Sequence, residues 1–139
     1  MPSGPLVAVA AAAALLLCDC GSPTSAGDRV PDGVWGSDRA SLAVTDTGAT
    51  LDILGAGDCI GSYGEIPQRI PGGTFDVSGT FTQLIGAYPG HIDYAARFTG
   101  TSAADQITIA ITVPALQQSL GPFTLARGVQ NSWPMCLYP

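Results

Sequence analysis

The sequence predicts an all-β fold, an antiparallel meander of about eight strands closed into a small barrel. Three observations predict it. Apolar residues recur with period two in six separate runs, which puts one face of each run inside and one in water. Gly- and Pro-bearing turn signals stand between the runs. Only one stretch, "ALQQSLG" ending at Gly121, reads as a helical turn.

The elements follow in order. "GVWG", Gly33 to Gly36, opens the domain. "SLAVT" turns Leu42 and Val44 to one side, and "ATLDI" does the same with Leu51 and Ile53. Between them "TDTGA" is a hairpin loop in which Gly48 is expected to supply a left-handed residue. "GAGD" separates Leu54 from Cys59. "TFDVSGTF" sets Phe75, Val77 and Phe81 against Thr74, Asp76, Ser78 and Thr80. "YPGH" places Pro89 and Gly90 at the centre of a type II turn. "DYAARFTG" carries Tyr94, Ala96 and Phe98 opposite Asp93 and Arg97. "QITIAITV" aligns Ile107, Ile109, Ile111 and Val113, and "PFTLAR" aligns Phe123 and Leu125. A meander of this kind must hide its edges, by closing or by folding over as a sandwich. A sandwich more often brackets its central Trp with the bridging cysteines, and Trp35 precedes both Cys59 and Cys136.

Ahead of the domain the chain reads differently. "LVAVAAAAALLL", Leu6 to Leu17, is an uncharged apolar run with the length of a secretory signal core, too short for the ~20 residues a bilayer needs. "CGSPTSAGDRVPD" is small, polar and proline-bearing, a tether. The division is therefore a signal segment at 1–19, a flexible tether at 20–32 and the barrel domain at 33–139. Five arginines face ten aspartates and Glu65 with no lysine, and a net charge of −6 repels a phosphate backbone, which excludes nucleic acid as a partner.

An exported chain meets an oxidising compartment, so Cys59 and Cys136 are expected to form a disulfide. The loop it closes, about 78 residues, corresponds to ~4 kcal/mol in the chain-entropy account. Parity then bears on Cys18 and Cys20. Cleavage just before Cys20 removes Cys18 and leaves Cys20 to take a lipid; cleavage behind Ala26 removes both and releases the protein. The start resembles that of a bacterial lipoprotein, although Asp19 stands where that pattern has a small residue. The expected location is the cell envelope through a lipid at Cys20, with free secretion as the alternative and no other membrane contact.

The Gly-x-Trp of "GVWG" resembles the opening of lipocalin-type barrels. That resemblance implies that Trp35 plugs the closed end and that Arg127, after "FTLA", packs over it. The order Trp35-Gly36, Cys59, "SGTF", "ARFTG", "ITIAITV", "FTLARG" and Cys136 also resembles a group of small exported bacterial proteins with no assigned reaction. It implies a fold and an exported location, and no chemistry.

Catalytic signals are weak. His91 is the only histidine; it sits on a turn, and pairing it with Asp93 leaves no serine in a nucleophile context. Asp52, Asp58 and Glu65 flank a Gly-rich bend and read as solvated acids. No spacing fits zinc or calcium, and "GAGDCIG" lacks the lysine and helix of a phosphate loop. The expectation is a monomeric, non-catalytic module without cofactor or metal, binding a protein or envelope component through its loops, an inhibitor-like role among them. The alternative is a carrier of a small apolar ligand, with Tyr63, Tyr88, His91 and Trp133 around the barrel mouth. A lumen filled by Phe75, Phe81, Phe98, Ile109 and Phe123 distinguishes the first from the second.

Overall fold

The computed structural model describes residues 29–55, 57–84 and 90–136. The signal segment, Cys18, Cys20, Tyr88 and Pro89 lie outside the described residues. Within them the chain forms eight strands: β1 (Gly33–Gly36), β2 (Ala40–Val44), β3 (Ala49–Leu54), β4 (Ile60–Ile66), β5 (Gly73–Leu84), β6 (His91–Ser102), β7 (Gln106–Val113) and β8 (Gln118–Arg127). Each pairs antiparallel with the next, and β8 returns to β1 through Trp35↔Arg127 and Gly36↔Ala126. The meander is a closed barrel, which removes the sheet edges that an open meander would leave to solvent.

Alternation places the core. On β7 the pattern is unbroken: Ile107, Ile109, Ile111 and Val113 are fully buried, while Gln106 and Thr112 are exposed. Phe75, Val77 and Phe81 of β5 and Ala96 and Phe98 of β6 join them, as do Leu42, Leu51 and Leu125. Together with Trp35 these side chains form one cluster that occupies the lumen, each large one contributing ~1.5–3 kcal/mol by leaving water.

β4 is the strand that periodicity misses, because its sequence "IGSYGEI" interleaves glycines with the apolar positions. The cause is Phe98. A Cβ at Gly64 would stand 2.5 Å from one edge of that ring, and a Cβ at Gly79 would stand 2.8 Å from the other. Two strands give up side chains so that a third can fill the space with an aromatic ring.

Two expectations about turns are corrected. Gly48 is not left-handed: among the described residues positive φ falls on other glycines, and on Asp58 and Gln117. Gly48 is required instead by close approach, since a Cβ there would collide with the carbonyl of Ile66. The helical turn also comes earlier and is shorter than "ALQQSLG". It is a 3₁₀ turn over Pro114–Leu116, ended by Gln117 at φ 50°, whose N–H bonds the Pro114 carbonyl at 3.0 Å. Ser119 and Leu120 already pair with β7, and Gly121, at φ +91°, sits where the β7–β8 register shifts.

The barrel takes in the end of the expected tether. Val30 is buried at 2% exposure, its N–H bonds the Ile70 carbonyl at 2.9 Å, and Arg29 bridges Pro71. Val30 and Ile70 thus lie across the end of the barrel where β1 starts and β8 stops, here called the lower end. The upper rim carries the starts of β2, β4, β6 and β8.

Candidate functional site

Trp35 points inward near the lower end and is wholly buried. Its indole N–H donates to the Pro31 carbonyl at 3.3 Å, which gives a buried donor the partner it needs. Arg127, its cross-strand partner, holds its guanidinium 5.7 Å from the ring centroid, within cation–π range. The pair that the lipocalin resemblance implies is therefore present as geometry, and Val30, Pro31 and Ile70 complete the plug.

The upper rim is organised by the C-terminal segment. Gly128 donates to the Val34 carbonyl at 2.7 Å, and the chain then passes the outward side of Gly36, where Val129 and Asn131 lie. Asn131 donates its side-chain amide to the Ser37 carbonyl at 2.7 Å. Further on, the Ile60 N–H bonds the Pro134 carbonyl at 2.8 Å and the Cys136 N–H bonds the Ile60 carbonyl at 3.0 Å, a short parallel bridge. Cys59 and Cys136 are joined in a disulfide with Cα atoms 4.9 Å apart. Trp133 lies half-buried in this segment.

Of the described residues expected around a mouth, His91 and Trp133 stand at the upper rim and Tyr63 does not face the lumen. Gly64 faces the lumen against Phe98, so Tyr63 beside it faces outward, on the wall of the barrel. Its cross-strand neighbours are Asp52 and Thr82, and Thr82 is in turn opposite Asp93. His91 is exposed at the top of β6, and Trp133 belongs to the C-terminal segment. Periodicity around β4 was hidden by its glycines, so the side on which Tyr63 falls was not legible.

This outer row holds the titratable groups nearest to a catalytic arrangement. The Thr82 hydroxyl, 3% exposed, donates to Asp93 Oδ1 at 2.7 Å, and His91 Nε2 stands 4.0 Å from Asp93 Oδ2. In a hydrolytic triad the imidazole lies between hydroxyl and carboxylate. Here the carboxylate lies between, so the Thr82 hydroxyl donates to Asp93 itself. Asp52 is half-buried, and that desolvation raises its pKa. Glu65 sits two residues further along β4, opposite Thr50 and Thr80, and Asp58 lies in the β3–β4 connection. Among the described residues no three His, Cys, Asp or Glu side chains converge as a metal site.

Two depressions lie on the outside of the barrel at its lower end. One, of about 280 Å³, is bounded by Thr45, Thr47, Thr50, Glu65 and Pro67. The other, of about 330 Å³, is bounded by Thr101, Ser102, Gln106 and Thr108. In the first, three threonine hydroxyls and the Glu65 carboxylate stand among Ala43, Ala49, Ile66 and Pro67; in the second, hydroxyls and the Gln106 amide dominate the border. Comparison with protein-family models, with curated proteins and with solved structures finds no match for this chain.

Proposed function

We propose that this protein is a non-catalytic exported module that binds a macromolecule of the cell envelope through its outer wall and the loops of the lower end. The observation that carries this reading is where space and polar groups lie. The lumen is taken by Trp35, Phe75, Phe81, Phe98 and the β7 isoleucines, whereas the two depressions open outside, one bordered by threonines, Glu65 and small apolar residues and the other by hydroxyls and Gln106. The Asp93-centred order of Thr82 and His91 argues against hydrolysis. Export is supported by the apolar run Leu6 to Leu17, by the likeness to small exported bacterial proteins and by the Cys59–Cys136 bridge. Lipid attachment at Cys20 belongs to the same reading, since several acyl chains hold a module at a membrane far better than one.

The test is a pull-down from the native envelope with the intact protein and with Thr47→Arg and Gln106→Arg variants. A partner retained by the intact chain and lost by one variant supports the reading; partners equally retained by both variants refute the assigned surface. Mass spectrometry of an organic extract of the native protein addresses the carrier alternative, and a stoichiometric apolar ligand would establish it. Metabolic fatty-acid labelling tests Cys20, and an unlabelled protein removes the lipid anchor.

A further inference from the structure

The C-terminal segment 129–136 differs from every other part of the barrel in how it is held. Ile60 and Cys136 are buried, at 8% and 9% exposure, yet neither belongs to the cluster that fills the lumen. Around them Val129 and Met135 are exposed at 40% and 52%. Among the described residues it is held by Val129 to Ala126, Asn131 to Ser37, Pro134 and Cys136 to Ile60, and the disulfide. It also occupies a particular place. Among the described residues β5 pairs with β4 from Ser62↔Gln83 down to Glu65↔Thr80. Above Ser62, Ile60 has Leu54 on one side and Met135 on the other. The segment therefore acts as a short extra strand that satisfies the backbone of Ile60 at the β4 rim.

We propose that residues 129–136 are a redox-releasable strap, and that opening the Cys59–Cys136 bridge uncovers the β4 rim at Ile60 as a docking edge for an extended peptide strand. The seated strap defines the occupant. It is an extended chain that recognises Ile60 by two main-chain hydrogen bonds, in parallel register, and such recognition is transferable between sequences. Release follows from the ties. Without the bridge, the described strap keeps two main-chain bonds to Ile60, one from Asn131 to Ser37 and one from Val129 to Ala126, each a modest net gain, against the freedom the chain regains. The barrel keeps its core, because no side chain of the lumen cluster lies in the strap. The step balances with a dithiol as reductant: it supplies two electrons and two protons, the S–S bond becomes two thiols, and its own sulfurs join as a disulfide. The docking half rests on the partner-binding reading above and gives it a second, switchable surface; the release half stands without it.

Hydrogen exchange on the full chain tests both halves. The oxidised protein is compared with protein kept reduced in dithiothreitol and with the Cys59→Ser, Cys136→Ser variant, neither of which places added bulk at the site where Cys136 is only 9% exposed. The expected result is at least a tenfold loss of protection at the Ile60 and Cys136 amides, with protection across Ile107–Val113 retained. A synthetic peptide of residues 130–136, "QNSWPMC" with Cys136→Ser, added in trans, should then restore protection at Ile60. Unchanged protection at Ile60, or loss of protection across β7 as well, overturns the strap. Loss at Ile60 that the peptide does not restore overturns the docking edge. Neither outcome depends on the envelope pull-down.

Discussion

The two ends of this barrel are held together by different means. At the lower end Trp35, Val30, Ile70 and Leu125 pack into the core itself, with Arg127 over the indole. At the upper rim a segment of the chain is laid on Ile60 and fastened by one covalent bond. Packing ties an element to everything it touches, whereas a crosslink ties two points and acts largely on the unfolded chain. Damage at the lower end should therefore spread through the molecule. Damage at the rim should lower stability while staying local in the folded state.

The largest effect is expected from Trp35→Ala. It empties a fully buried indole site and strips Arg127 of its ring, for a loss of about 3–5 kcal/mol in urea unfolding. The counterpart at the other end, Trp133→Ala, should cost below about 1 kcal/mol, because that residue is half-exposed on the strap. Equal losses at the two positions would break the comparison. Next comes the double variant Cys59→Ser, Cys136→Ser. The chain-entropy account gives a loss of roughly 4 kcal/mol for a separation of 77 residues. Far-UV circular dichroism and iodide quenching should nonetheless find the sheet intact and Trp35 still inaccessible. A reduced protein whose Trp35 becomes quenchable would show that the strap supports the core.

The same contrast separates what could be read in the sequence from what could not. β7 and the hairpin of β5 and β6 were legible because each inward position is apolar and each outward one polar or small. β4 was not, since the lumen beside it is filled by Phe98 and its own inward positions hold Ser62 and Gly64. Complementarity between strands removes the local signal from the strand that yields. Val30 was read as tether for a related reason: one apolar residue between Arg29 and Pro31 has no period, and only Ile70 gives it a place. The oxidising compartment expected of an exported chain pointed to the Cys59–Cys136 bond, but the route of the strap depends on backbone bonds to Ile60 that no composition announces. Tyr63 lost its expected place at the mouth through the same glycines that hid β4.

That exchange of volume between strands gives a third prediction. Gly64→Ala puts a methyl group 2.5 Å from the Phe98 ring and should cost about 1–3 kcal/mol by overpacking. Phe98→Leu alone should also destabilise, by leaving space. Combined, the two should cost less than their sum, and a double-mutant cycle by denaturant unfolding measures the difference. Strict additivity would mean that Gly64 is there for a reason other than Phe98.

The smallest effect concerns Asp52, on the outer wall two residues below Leu54. Desolvation alone raises its pKa, so the folded protein binds that proton more tightly than the unfolded chain does. The sign follows from linkage. The stabilising contribution of the neutral acid is fully present below the unfolded value of about 3.9, and is lost as pH rises through the higher folded value. At neutral pH the half-covered carboxylate is therefore a mild burden, softened by the solvent that still reaches it. Asp52→Asn should be level with the native protein near pH 3 and gain on it as pH rises to 7, by a fraction of a kcal/mol. Tyr63 lies directly opposite on β4, on the same outward face, so Tyr63→Ala should flatten that pH dependence. The comparison of unfolding midpoints at pH 3, 5 and 7 decides it. A difference between Asp52→Asn and the native protein that does not change with pH would show that water reaches this carboxyl freely, and that the wall beneath the strapped rim is as open as the rest of the barrel's outer face.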